Sequence, residues 1–548
     1  MKRFGTAITA AVLFSLLAAS QSHADSINWT GTTGDWHDPL NWDNGIPTLD
    51  DFTYIDNDGT AQISADAESF CLYDGRYNSG AVEQTGGTTY ASYLYLGYEF
   101  GSNGTYNLSG TAHFSVSSIQ YIGFSGTGEF NLDDGTHTVS NDLHLGYLSG
   151  SSGTYNLNTG KLSVGRRDQI GSSGTGEFNQ DGGIHTVSGT LYLGNYSGAS
   201  GTYNLSGTAQ LSVGLNEYIG RFSGGTGEFN QTGGIHTVSS SLCLGSTSSG
   251  ASGTYNLSAG ELLVVSNEFV GGSGTGVFNQ TGGTHTVDGI LYFGFEYDSR
   301  GTYNLSAGEL FVNSRENIGL HSGTAEFNQN GGTHTISDYL TLGYYNGSSG
   351  VYNLSTGELS IGSSEYVGLG GTGEFNQEGG INTASEDLYL GYSSGSGGTY
   401  NLSAGELSVG SCEYIGNVGT GEFNQTGGSH TIRYYLYLGY LFGSSGTYCL
   451  SGGSFEAGDL DINYGWMDID VSEIDLFAVS GDNVSLLDGY IAEDKIIDST
   501  LDAGQYLCAV YDSENDWTTI AVLPEPSTLL LLAPALLGFA GLLRRRLK

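Results

Sequence analysis

Short runs of alternating apolar and polar residues recur along most of this chain. In the stretch beginning at Gly398 they cover Tyr400 to Ser403, Glu406 to Val409 and Glu413 to Ile415. Alternation over four or five residues predicts β-strand, and the Gly, Ser and Asn clusters between the runs predict turns. No window keeps helical periodicity, and glycine, a poor helix former, supplies 91 of 548 residues.

The runs are locked to a repeat. Fourteen asparagines follow one another at 23 to 26 residues: Asn107, Asn131, Asn156, Asn179, Asn204, Asn230, Asn256, Asn279, Asn304, Asn328, Asn353, Asn376, Asn401 and Asn424. Each is preceded by Tyr or Phe. Two flavours alternate, one reading Tyr255-Asn256-Leu257-Ser258, the other Phe229-Asn230-Gln231-Thr232. A fixed period of this size marks supersecondary units stacked on one another. Three strands and three turns per unit predict an all-β fold, a parallel β-helix (β-solenoid) of right-handed type. About 16 three-strand rungs of about 24 residues fit between residues 80 and 463, about 4.8 Å apart.

In such a stack like residues meet like. The asparagines are expected to form an inward-facing amide ladder, each bond contributing about 0.5–1.5 kcal/mol. The recurring glycine that includes Gly97, Gly123 and Gly146 fits a turn needing positive φ or close backbone approach. The ladder position holds Glu83 in the first rung and Cys449 in the last, as expected where end units cap a stack.

The flanks divide the chain further. Residues 1–24 read as a signal peptide: Lys2 and Arg3, an apolar run from Ala7 to Ala19, then Ser22-His23-Ala24. Residues 25–79 hold Trp29, Trp36 and Trp42 and are expected to cap the N-terminal end, shielding unpaired strand edges. Residues 464–522 are expected to form a C-terminal cap with a few antiparallel strands.

Charge narrows the partners. The net charge is −42, and six of the 15 basic residues lie in the end segments. Such a body repels nucleic acid and suits solubility, weak Ca²⁺ association or a hydrated matrix. The five cysteines are scattered in the pattern and predict neither a disulfide framework nor a metal site.

Candidate chemistry is sparse. His137, His185, His236, His285, His334 and His430 share a column on alternate rungs, roughly 9.6 Å apart, too far for one metal ion. They read as stacked structural or surface residues, with Asn382 replacing one. Glu261, Glu309, Glu358 and Glu406 form another alternate column and read as a solvated face. The tyrosines of the "YIG" and "LYLG" segments are expected to form an outward aromatic ladder. Tyr192, Tyr218, Tyr389, Tyr414 and Tyr437 are its candidate glycan strip. No catalytic residue, metal ligand or cofactor is assigned, and the chain is not expected to be an enzyme.

Residues 523–548 carry the most specific motif. Pro524-Glu525-Pro526-Ser527 precedes an apolar run from Leu529 to Leu543 and the basic end Arg544-Arg545-Arg546. Fifteen apolar residues make a short transmembrane segment, its positive end held inside. This tail resembles the PEP-CTERM sorting signal of Gram-negative bacteria. The resemblance implies an exosortase that recognises and removes the tail, transient inner-membrane contact, and export to the cell surface or extracellular matrix, with exopolysaccharide as partner. The expectation is an exported structural or adhesive rod. Alternatives are a polysaccharide lyase or hydrolase of the β-helix type, against which the even rungs argue, and a self-assembling surface-layer protein.

Overall fold

The computed structural model describes residues 24–321 and 323–524. It is a β-solenoid of about 19 stacked parallel turns with almost no helix. One coil shows the plan. Ser200–Leu205 lies in the first sheet, Gln210–Val213 in the second and Glu217–Ile219 in the third. Each strand pairs in parallel with its equivalents one coil before and one coil after, so Tyr203 sits opposite Phe178 and Phe229, and Asn204 opposite Asn179 and Asn230.

The sequence period undercounts the coils, because it was read from the aromatic–asparagine pair. Parallel pairing continues where that pair is absent. Thr33–Asp35 pairs with Thr60–Ile63, which pairs with Ser79–Gln84. At the other end Gly465–Ile469 pairs with Ser445–Ile462, placing Met467 and Asp468 in the aromatic and asparagine columns.

The aromatic rings fill the core. From Tyr106 to Tyr448 they are fully buried and stack face to face, with centroids 4.7 Å apart at Phe178–Tyr203 and 4.9 Å at Tyr203–Phe229. Valine and isoleucine of the second sheet and leucine and isoleucine of the third close the rest of the interior.

The ladder asparagines therefore face out, correcting the expected inward orientation. All fourteen are half-buried on the outer face of the first sheet. Adjacent residues of a strand point to opposite faces, and the larger apolar ring takes the inside.

The recurrent glycine meets both demands placed on it. Gly123 has φ +71°, and a Cβ there would lie 1.9 Å from the Ser152 carbonyl oxygen.

Both ends are covered. Trp36 and Trp42 are buried and pack edge to face at 4.8 Å, and Trp42 Nε1 donates to the Trp36 carbonyl at 2.7 Å. Residues 41–43 fold back over residues 28–30 in antiparallel fashion, with Thr30 N donating to Asn41 O at 2.8 Å and Asp43 N to Asn28 O at 3.1 Å. The C-terminal end carries the helix Val484–Ala492 and an antiparallel hairpin of Gln505–Asp512 with Trp517–Pro524. The expected signal peptide, up to residue 23, and the expected sorting tail, beyond Pro524, lie outside the described residues. Among the described residues no helix is long and apolar enough to cross a membrane.

Candidate functional site

The fourteen asparagines are joined by an unbroken run of amide hydrogen bonds, each Nδ2 donating to the Oδ1 one coil earlier. The distance is 2.8 Å at Asn131–Asn107, 2.8 Å at Asn256–Asn230 and 3.0 Å at Asn424–Asn401. At four of them, Asn156, Asn256, Asn353 and Asn424, a neighbouring carboxylate joins in, as where Asn353 Nδ2 donates to Glu326 Oε1 at 3.0 Å. A shallow depression of about 320 Å³ runs along the ladder from Asn353 to Asn424.

The tyrosine strip lies outside the third sheet. Tyr366, Tyr389, Tyr414 and Tyr437 stack at 5.0, 4.7 and 4.8 Å, and Tyr192 on Tyr218 at 5.4 Å. The rings are half-buried, Tyr192 more so at 9% exposure. Their faces cover one another along the axis, and Tyr392 and Tyr440 pack edge to face against them. What this strip offers solvent is ring edges. The column is interrupted by Gln169, Cys243, Asn317 and Thr341.

The histidines of this column are buried, and each except His137, whose one polar partner among the described residues is the Tyr155 hydroxyl, belongs to a polar box spanning three coils. In the most regular box Gln280 Nε2 donates to the carbonyls of Gly283 at 3.2 Å and Glu309 at 2.9 Å. Both amide hydrogens are thus used, and Gln280 Oε1 accepts from the Tyr303 hydroxyl at 2.6 Å. The Tyr303 oxygen then accepts from His285 Nδ1 at 3.0 Å. Burial, with the carboxylates of Glu268 and Glu316, holds that phenol well above its ordinary range, so it stays protonated. With Nδ1 carrying its hydrogen, the 2.8 Å contact between His285 Nε2 and Glu268 Oε2 must contain one shared proton. Either an imidazolium faces a carboxylate or a neutral imidazole faces a carboxylic acid.

The box recurs with variations. His236–Glu217 and His430–Glu413 are 2.8 Å apart and His334–Glu316 2.9 Å. His185–Asp168 opens to 3.3 Å because the aspartate is one methylene shorter, and burial raises the Asp168 carboxyl. In the sixth box Asn382 Nδ2 donates to Tyr400 Oη at 3.1 Å and Glu365 Oε2 at 3.0 Å. An amide cannot supply a countercharge, and burial lifts the Glu365 carboxyl to about 8. His137 has no acid: Gln120 stands in that column, and burial drives the imidazole down to about 3.

The sequence reading missed the acidic members. Glu217, Glu268, Glu316, Glu365 and Glu413 are fully buried, whereas Glu261, Glu309, Glu358 and Glu406 are exposed. A signal existed: each buried acid precedes the third-sheet "YIG"-type segment on alternate coils, and the coils between hold Leu242, Leu291, Leu340 and Leu388 in that column. The boxes are sealed and therefore structural. Substrate or ligand contact falls to the outer faces. Among the described residues no group of three or more His, Cys, Asp or Glu is disposed to hold a metal ion, and the five cysteines are free thiols.

Compared with known proteins, the chain matches no family model, and no curated protein or solved structure shows a significant match.

Proposed function

We propose that this chain is an exported rod of the cell surface or extracellular matrix, which spaces or binds exopolysaccharide after sorting through its C-terminal tail. The observation that carries the reading is the evenness of the stack: one face repeats the same amide on every coil of the ladder and a carboxylate on every second coil, broken at Val277. A repeating surface suits a repeating polymer. It distributes contact over many equivalent positions rather than concentrating it in one reactive cleft. The acidic body, the signal-like start and the Pro524-Glu525-Pro526 tail with Arg544, Arg545 and Arg546 support export and processing by an exosortase, with transient inner-membrane contact.

The test removes coils in register. Deleting residues 252–299 excises two coils and rejoins equivalent positions. Retention on immobilised polysaccharide is expected to fall in steps as such pairs are removed. Abrupt loss on replacing one carboxylate pair, with product release, would instead identify a hydrolase or lyase. Deleting residues 524–548 is expected to abolish processing; unchanged membrane retention and maturation would contradict the sorting role.

A further inference from the structure

The turn from the third sheet of one coil to the first sheet of the next follows a common plan: a glycine, then three residues, then a residue in the left-handed region. The third residue is small and polar in most coils that share this length, as at Ser149, Ser197, Asn346 and Ser394. In three coils it is aromatic: Phe100, Tyr297 and Phe442. These rings stand out from one edge of the rod, 87%, 68% and 87% exposed. Among the described residues Leu40 is the other large apolar side chain above 80%.

Their rings differ from the tyrosine strip in what they show solvent. Phe100 contacts no other aromatic ring among the described residues. Phe442 meets only Tyr464, edge to face at 5.8 Å, and Tyr297 is flanked on one side by His321 at 5.7 Å. At least one ring face stays free of aromatic contact in each, and all three rings are far more exposed than the half-buried strip tyrosines. The strand register places eight coils between Phe100 and Tyr297 and six between Tyr297 and Phe442. At one strand spacing per coil the gaps are roughly 38 and 29 Å.

Charge selects the occupant. A second copy carries the same −42 and is repelled. Glu99 precedes Phe100, and Glu296 and Asp298 flank Tyr297, which disfavours an anionic polymer. The apolar C–H face of an uncharged sugar ring suits an open aromatic face, with the flanking carboxylates accepting from hydroxyls. We propose that Phe100, Tyr297 and Phe442 are three platforms on which one neutral polysaccharide chain is held along this edge of the rod. This rests on the polysaccharide-binding reading above and moves its strongest contacts from the amide and carboxylate face to the turn edge. Three weak contacts on one rigid body gain from effective concentration, so the whole greatly exceeds any one of them.

The test uses the full-length chain with F100S, Y297S, F442S and the triple variant, serine being the residue of equivalent turns. Binding is measured on hydroxyethyl cellulose, dextran and galactomannan as neutral probes and alginate as the anionic one. Melting temperatures are expected to be unchanged. Each single variant should weaken retention on a neutral probe, and the triple variant should lose on the order of 100-fold. If the wild type binds a neutral probe and the triple variant binds it equally, the platforms are wrong while the polysaccharide reading stands. Preference for alginate would also overturn the proposal. If the wild type binds none of the four, both fall. If sedimentation shows a wild-type oligomer that the triple variant dissolves, with glycan retention unchanged, the platforms belong to a second copy and the proposal is overturned.

Discussion

His285 Nε2 and Glu268 Oε2 meet at 2.8 Å in a box from which solvent is excluded on every side. Each comes from a different coil, and each occupies a column that the adjoining coils fill with leucine: Leu262 and Leu310 for the histidine, Leu242 and Leu291 for the glutamate. Apolar groups of that size therefore fit both positions. Glu268→Leu alone is expected to destabilise by about 3–5 kcal/mol, because it strands the imidazole. Combining E268L with H285L, Y303F and Q280L should recover most of that loss, since a well-packed apolar set replaces a buried polar one at little net cost. Chemical denaturation of the single and combined variants measures the difference. Equal losses would mean that the pair is not coupled.

The Asn382 box sets an alkaline limit. The ordinary Glu carboxyl titrates at 4.5, and burial lifts that of Glu365 to about 8. Between those values the native carboxyl holds a proton that the unfolded chain has released. The stabilisation is complete below pH 4.5 and declines as pH rises, by about 1.4 kcal/mol per pH unit, until the native group ionises. Glu365→Gln mimics the protonated acid and keeps an acceptor for Asn382. It should be near neutral at pH 5 and stabilising at pH 8, read as denaturation midpoints at the two values.

The acid limit has the opposite sign. His137 titrates at about 3 in the folded protein, against an ordinary value of 6.5, because burial disfavours its charge. Between those values the unfolded chain binds a proton that the native state refuses, so stability is lost as pH falls below 6.5, again by about 1.4 kcal/mol per unit. H137L with Y155F removes the group and the hydroxyl that contacts it at 2.8 Å. The variant should lose less stability than the wild type between pH 6.5 and pH 4.

The outer ladder should matter less than a buried one. Asn256 makes amide bonds to both neighbours, but water reaches the groups that its loss would expose. Asn256→Leu is expected to cost about 1–2 kcal/mol, two net hydrogen bonds. Ser258→Ala, which removes a 3.3 Å bond to the Gln231 carbonyl, should cost less. Matching melting temperatures would show that the ladder adds nothing to stability.

The stacking of coils was legible because a constant period forces like positions together, and Tyr203, Asn204 and their equivalents announce that period. Orientation was not. Alternation says that Tyr203 and Asn204 face opposite ways without saying which is inside. The boxes were harder still, since Gln, His and Glu read as surface residues by type. Only the leucines at the same columns one coil away, such as Leu257, Leu262 and Leu242, betray that those columns run through the core. Phe100, Tyr297 and Phe442 escaped notice because a turn residue belongs to no strand pattern, and what sets them apart is comparison with Ser149 and Ser197 in sibling turns.

The return of residues 41–43 across residues 28–30 has a consequence for growth. A bare parallel edge would recruit further strands without limit, and polymers of indefinite extent would follow. Here residues 28–30 at that edge are covered by the chain's own backbone, running the other way, while a helix and hairpin occupy the opposite end of the described stack. The molecule is thus a ruler of fixed span. Its reach is written in the number of coils the chain encodes, and each inserted pair would lengthen it by roughly 10 Å.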